Sequence, residues 1–236
     1  MYKIITITPR EENSDGFFNI APATEFIPEW YRLSSSNILG TNTELVTWSA
    51  SVTTSTYKKC TPFFDALSIG YIVFLTADIE ISRQDNGLPL IQYRTDRQIV
   101  SDHASEQWQG LPCPDGYIPY VYKWHNQFGL TVPKDYSLLF TSPINRFDLP
   151  FKTITGIVDC DTYDLSVHFP FFIKNNFVGI IEKGTPITQI IPIKRDSWKR
   201  EYREYDFNRT KKSMEKFLST IKRSYKNNYW HRKEYK

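Results

Sequence analysis

Short apolar runs, each closed by Pro, Asn, Gly or Asp, follow one another at residues 136–140, 165–172, 177–181 and 187–193. Runs of that length suit strands better than helices, and the punctuating residues supply the backbone angles and side-chain hydrogen bonds that reverse a chain. Four strands are predicted here. Upstream, residues 44–56 alternate, with Val46, Trp48, Ala50 and Val52 on one side and Thr47, Ser49, Ser51 and Thr53 on the other. That two-residue period belongs to a half-buried strand. Residues 71–81 repeat it through Tyr71, Val73, Leu75, Ala77, Ile79 and Ile81, and Asp85-Asn86-Gly87 then offers a tight hairpin turn before a returning strand at 90–93. Residues 1–8 form too short an apolar stretch for a secretory signal and read as a first strand. Strands and helices do not alternate and no glycine-rich phosphate loop occurs, which argues against a doubly wound parallel sheet. The predicted fold class is mainly β, with one antiparallel domain spanning residues 1–193.

The character changes at Lys194. Residues 194–236 hold 15 Lys and Arg against 6 Asp and Glu, a net of +9, whereas the first 193 residues carry 14 against 20, a net of −6. Phe207, Met214, Phe217, Leu218, Ile221 and Tyr225 recur at helical spacing, with basic residues opposite. A C-terminal amphipathic α-helix follows, expected to lay its apolar face over an open end or edge of the sheet. Lys211, Lys212, Lys216, Lys222 and Arg223 are the candidate contacts for a nucleic acid or other polyanion; the alternative is a tail that docks on the acidic body of its own chain. No run of 18 uncharged apolar residues is present, so no membrane span is expected.

Three cysteines, Cys60, Cys113 and Cys160, are widely spaced and suggest neither a disulfide framework nor a paired zinc site, which fits a reducing cytosol. Four histidines, His103, His125, His168 and His231, lack the close spacing of a metal-binding pair, and neither a Gly-x-Ser-x-Gly elbow nor a Cys-His catalytic signature occurs. His103 and His125 bracket an aromatic, proline-rich stretch and could meet Cys113 or Asp102 in space. The rings of residues 101–135 either line a groove or fill a core between sheets.

Thr155-Gly156-Ile157-Val158-Asp159-Cys160-Asp161-Thr162-Tyr163, followed by Gly184-Thr185-Pro186-Ile187-Thr188-Gln189-Ile190, resembles the dUTPase and dCTP deaminase superfamily over residues 136–193. The resemblance implies a β-clip-like, dUTPase-like core, assembly as a homo-oligomer, and Mg²⁺ as the metal of any hydrolysis. Asp159 would then match the base that activates water, Tyr163 the ring against the deoxyribose and base, and Gln189 a phosphate contact, with Arg146 beside them. The chain departs from the pattern at Pro143-Ile144-Asn145-Arg146, which lacks the family's phosphate-binding Ser, and at Thr185-Pro186, which replaces an acidic residue. The basic helix stands where the family carries the glycine-rich arm that closes over the triphosphate. Over its whole length, through Ile27-Pro28-Glu29-Trp30-Tyr31-Arg32, Lys59-Cys60-Thr61-Pro62-Phe63-Phe64-Asp65 and Asn145-Arg146-Phe147-Asp148-Leu149-Pro150-Phe151, the chain is similar to an uncharacterised family of cyanophage-type proteins. Together these readings imply a cytoplasmic phage protein that binds without catalysis: a nucleotide-like ligand through Arg146, Asp159, Tyr163 and Gln189, or a nucleic acid or host protein through the tail. No cofactor is expected for such a role. The alternatives are a dUTPase-like pyrophosphohydrolase and a virion structural protein.

Overall fold

The structure is a computed structural model that describes residues 2–10, 18–37, 45–47, 50–52, 56–219 and 224–236. It divides into two compact units, one made of Met1–Phe26, Gly70–Arg195 and Lys236, the other of Ile27–Ile69 and Asp196–Tyr235. The strands, in chain order, are β1 (Thr6–Pro9), β2 (Ile20–Pro22), β3 (Leu45–Thr47), β4 (Ala50–Val52), β5 (Tyr71–Phe74), β6 (Ile79–Arg83), β7 (Pro89–Tyr93) and β8 (Val100–Asp102). They continue with β9 (Tyr122–Trp124), β10 (Phe128–Thr131), β11 (Tyr136–Thr141), β12 (Phe151–Thr153), β13 (Gly156–Val158), β14 (Phe169–Ile173), β15 (Gly179–Ile181) and β16 (Pro186–Lys194). The α-helices are α1 (Glu29–Leu33), α2 (Thr61–Ser68), α3 (Phe207–Leu218) and α4 (Ser224–Asn228). Every strand pairing among the described residues is antiparallel, so the mainly antiparallel β class with a C-terminal helix, expected from the sequence, is the class observed.

In the first unit, β13, β11, β16, β5 and β2 form the largest sheet in that order; β12, β14, β9 and β8 form a second, and β15, β6 and β7 a third. Leu138 and Phe140 of β11, Ile187 and Ile190 of β16, and Phe169, Phe171 and Ile173 of β14 are buried in one core. At its centre Trp124 stacks on Phe171, with ring centroids 3.8 Å apart and planes 6° from parallel, and meets Phe151 edge-on at 5.1 Å. Rings of this size dominate the burial term of a small β domain, and offset or perpendicular pairs add to it. Pro192 is tolerated in β16 because it lies beyond Ile190, the last residue paired with β5, where that edge of the strand is open. Gly70 enters β5 at φ 75°, and a Cβ there would stand 2.0 Å from the Ile190 carbonyl oxygen, so only glycine fits.

Two of the predicted strands are corrected by the structure. Residues 71–81 are not one strand: the chain leaves the first sheet after Phe74 and resumes as β6 in another. Leu75 N donates to Thr185 O at 2.9 Å, Gly184 N to Leu75 O at 2.8 Å, and Lys183 N to Asp78 Oδ1 at 2.7 Å, which secures the crossover. The alternation survives because Leu75, Ile79 and Ile81 all point into the same core from either side of the bend. Residues 44–56 likewise contain two short strands, β3 and β4, paired as a hairpin with Thr47 opposite Ala50; Trp48, Ser49 and Thr53 lie outside the described residues. The Asn-Gly turn is observed where the sequence places it. Gly87 takes φ 81°, Gly87 N reaches Gln84 O at 2.9 Å, and Leu88 N reaches Asn86 Oδ1 at 2.9 Å.

In the second unit, buried Tyr31 packs against Phe63 and Phe64 at 6.0 and 5.9 Å, and the Lys58 ammonium sits 4.3 Å over its ring. The end of the tail is tied to α2: Trp230 Nε1 donates to both Asp65 carboxylate oxygens at 3.1 and 2.9 Å, and Lys233 pairs with the same group. The single C-terminal helix expected from the apolar spacing is two helices, with Tyr225 on α4 and Ile221, Lys222 and Arg223 outside the described residues. α3 buries none of its residues. Phe207, Met214, Phe217 and Leu218, its apolar residues, are exposed.

Candidate functional site

The turn after β13 holds the two carboxylates singled out in the sequence. Thr162 N and Tyr163 N both donate to Asp159 O, at 3.1 and 2.9 Å, which winds residues 159–163 into a tight loop. Asp161 is turned inward. Its carboxylate takes both arms of the Arg195 guanidinium, Nη1 at 2.8 Å and Nη2 in a shorter contact, and accepts from Asp135 N at 3.0 Å. The hydrogen bond from Arg195 is the main reason its pKa is held down at about 2, with smaller help from the Asp135 backbone and the guanidinium charge. Arg195 Nη1 also reaches Tyr136 O at 3.1 Å and Ser137 Oγ at 3.3 Å. Asp159 faces outward, 62% exposed, with Oδ1 accepting from Ser137 Oγ at 2.6 Å and lying 3.3 Å from Arg195 Nη1. Tyr163 is exposed beside it. This constellation fastens the 159–163 loop to the start of β11 and the end of β16.

Arg146 and Gln189 lie elsewhere. Gln189 is 1% exposed, and its Oε1 accepts from Ile144 N at 2.8 Å, which pins the turn that carries Arg146. The Arg146 guanidinium closes on Asp148 through three contacts of 2.7 to 3.1 Å. On β11, Gln189 pairs with Thr141, whereas Asp159 bonds to Ser137. Four strand residues span about 13 Å. The structure therefore brings Asp159 together with Tyr163, and Arg146 together with Gln189, but sets the two pairs at opposite ends of one strand.

Lys211, Lys212 and Lys216 are exposed on α3; Lys222 and Arg223 lie outside the described residues. The segment ahead of them carries a feature that helical spacing does not reveal. Residues 195–206 have no regular secondary structure, and along them Trp198, Tyr202 and Tyr205 are 91%, 85% and 75% exposed. Lys199, Arg200 and Arg203 stand between the rings. Arg200 lies 5.8 Å over the Tyr202 ring, and Arg203 pairs with Glu201 at 3.0 Å in a surface contact of little energetic weight. The signal that could have found these rings is their alternation with cations, which a search for helical periodicity ignores.

His103 and Cys113 do meet, in the wall of one pocket with Trp108. His125 pairs instead with His168, ring centroids 4.6 Å apart, and its Nε2 shares a hydrogen bond with Ser101 Oγ at 2.8 Å. Burial first, then His168 and Lys123, lower the His125 pKa to about 4. Asp102 borders a different pocket. The three cysteines are unpaired. Among the described residues no group of three or more His, Cys, Asp or Glu is arranged to hold a metal ion, and no helix is long and apolar enough to cross a membrane.

No protein-family model and no curated protein matches the chain. Among solved structures, a mutant dUTPase from phage phi11 of S. aureus, described with a structural Mg(II) ion, is 12% identical over 59% of this chain and 86% of its own, with a TM-score of 0.32. A mutant dUTPase of Staphylococcus bacteriophage 80alpha, solved with dUpNHpp, is 11% identical over 55% of this chain and 89% of its own, with a TM-score of 0.26. At those scores the similarity carries no weight for a site or an activity.

Proposed function

We propose that the protein is a binding protein for single-stranded nucleic acid and that residues 198–216 are its contact surface. The supporting observation is the exposure of Trp198, Tyr202 and Tyr205 on an irregular stretch of chain with Lys199, Arg200 and Arg203 between them. Leaving rings of that size in water forgoes the burial that normally accounts for them. Unpaired bases offer flat faces for such rings, while the cations follow the phosphates; base stacking of this kind contributes about 1–3 kcal/mol per base. Arg209, Lys211, Lys212 and Lys216 extend the positive track along α3, whose N-terminus is capped by Asp206. A duplex hides its base faces and would use only the charges, so the geometry favours the single strand.

Fluorescence anisotropy with labelled oligo(dT) tests this reading. Binding should weaken steeply with salt, and replacing Lys211, Lys212 and Lys216 with Gln should reduce the slope of log K against log salt by roughly 0.7 for each phosphate that the variant no longer neutralises. The combined change Trp198→Ala, Tyr202→Ala and Tyr205→Ala should weaken binding at fixed salt by at least tenfold while leaving that slope unaltered. No binding at low salt, or equal affinity for a duplex of the same length, would sink the proposal.

A further inference from the structure

Independently of the tail, we propose that the trough between β7 and β8 is a docking site for an extended peptide segment carrying a basic residue, which enters as a new strand between two sheet edges. β7 is the last strand of the β15-β6-β7 sheet and β8 the last of the β12-β14-β9-β8 sheet, and the two do not pair with each other. Both nonetheless line one trough of about 440 Å³, β7 through Leu90, Ile91 and Gln92 and β8 through Ser101 and Asp102. That volume lies within the roughly 300–1,000 Å³ of ligand clefts.

The ladders fix where the main-chain groups of these two strands point. In an antiparallel pair, residues that exchange hydrogen bonds alternate with residues whose N–H and C=O face the other way. Gln84 N donates to Leu88 O at 2.9 Å, which continues the register that sets Ser82 opposite Leu90 and Ile81 opposite Ile91. Leu90 and Gln92 are therefore bonded to β6, and the main-chain groups of Pro89, Ile91 and Tyr93 face away from it. On the other wall, His103 N donates to Val121 O at 3.0 Å and His125 N to Ile99 O at 2.8 Å, so Ser101 is bonded to Lys123, and Val100 and Asp102 face away from β9. The side chains agree with this direction. Tyr122 Oη and Gln84 Nε2 donate to Pro89 O at 3.2 and 3.1 Å, and Tyr93 Oη donates to Val100 O at 3.2 Å. Tyrosine hydroxyls thus stand in for a missing strand at Pro89 and Val100, while Ile91 and Asp102 present their main-chain groups to the trough.

That arrangement selects the occupant. An extended peptide carries its own N–H and C=O groups alternately to either side, so one strand can serve both edges at once, and main-chain bonds supply the affinity. Ile91 offers one donor and one acceptor. Asp102 offers a donor, and its C=O accepts the Ser101 hydroxyl at 3.2 Å with a second lone pair to spare. Among the described residues that line the trough, Asp102 is the only charged one, and it is exposed. Its carboxylate, on a stretch of 193 residues whose net charge is −6, favours a Lys or Arg on the entering segment. Leu90, 40% exposed on the same wall as Ile91, gives an apolar neighbour of that residue a surface to cover.

The test is a calorimetric titration of the full chain with the capped peptide acetyl-Thr-Val-Lys-Val-Thr-amide, joined to amide hydrogen exchange read residue by residue. Binding should saturate, and the Ile91 and Asp102 amides should exchange at least tenfold more slowly in the complex. The same peptide N-methylated at both valines keeps its side chains but loses main-chain donors, and should bind at least tenfold more weakly; a peptide with Glu in place of Lys should also bind more weakly. Ile91→Pro removes a donor that the β6 ladder does not use and should weaken binding of the parent peptide by a similar factor. No binding at millimolar peptide, equal binding of the N-methylated peptide, or unchanged exchange at Ile91 and Asp102 overturns the proposal. Should Ile91→Pro fail to fold, the two peptides and the exchange data on the unaltered chain decide alone.

Discussion

Arg195 closes the Gly70–Arg195 stretch of the β unit, and it holds two carboxylates, a hydroxyl and a backbone carbonyl with one guanidinium. The planar fork of arginine suits this task, whereas lysine would offer a single point charge. The consequence for stability has a definite sign. Asp161 ionises at about 2 when folded and at the ordinary 3.8 otherwise, so its contribution is fully present above the ordinary value and is lost as pH falls towards 2. Urea unfolding at several pH values should show the wild type more stable than Asp161→Asn near neutrality, with the gap closing across the acid window below about pH 4. A gap independent of pH would mean that the carboxylate charge is irrelevant to the clamp. The same residues show how far a motif can be read. Asp159, Asp161 and Tyr163 are recognisable as a cluster, but nothing in the sequence announces that Arg195, 34 residues beyond Asp161, closes on them.

Among the α-helices described, α3 alone buries none of its residues. Isolated helices of this length are marginal in water, so its N-cap matters more than it would in a packed helix. Asp206 accepts from Arg209 N at 2.9 Å, and Asp206→Ala should cost the helix about 1 kcal/mol. Far-ultraviolet ellipticity should fall while the thermal midpoint of the molecule stays put; a lowered midpoint would show that α3 supports more than itself. The strands are legible where period and punctuation agree. β11, β15 and β16 fall within two residues of their expected places because Pro, Gly and Asn bound them, and the β6–β7 turn follows from Asn86-Gly87. Residues 71–81 mislead because alternation reports which face is buried, and Leu75, Ile79 and Ile81 stay buried across a change of sheet. The short helices α1 and α2 are invisible to periodicity, being too brief to establish a period. Within the tail, periodicity finds α3.

For the whole molecule, the order of strands in the largest sheet sets a constraint that no single contact reveals. β16 is the last of the described strands in the chain, yet it lies between β11 and β5, pairing Leu139 with Ile191 on one side and Ile72 with Gln189 on the other. A chain truncated before Pro186 should accordingly show no cooperative thermal transition; a sharp transition there would mean that the other sheets suffice. Contacts this distant in sequence close slowly. During synthesis β5 emerges with only β2 to pair with and must wait more than a hundred residues for its other neighbour. Between the synthesis of β5 and that of β16 the sheet stays unfinished, and an unpaired strand edge of this kind is what aggregation or a chaperone acts on.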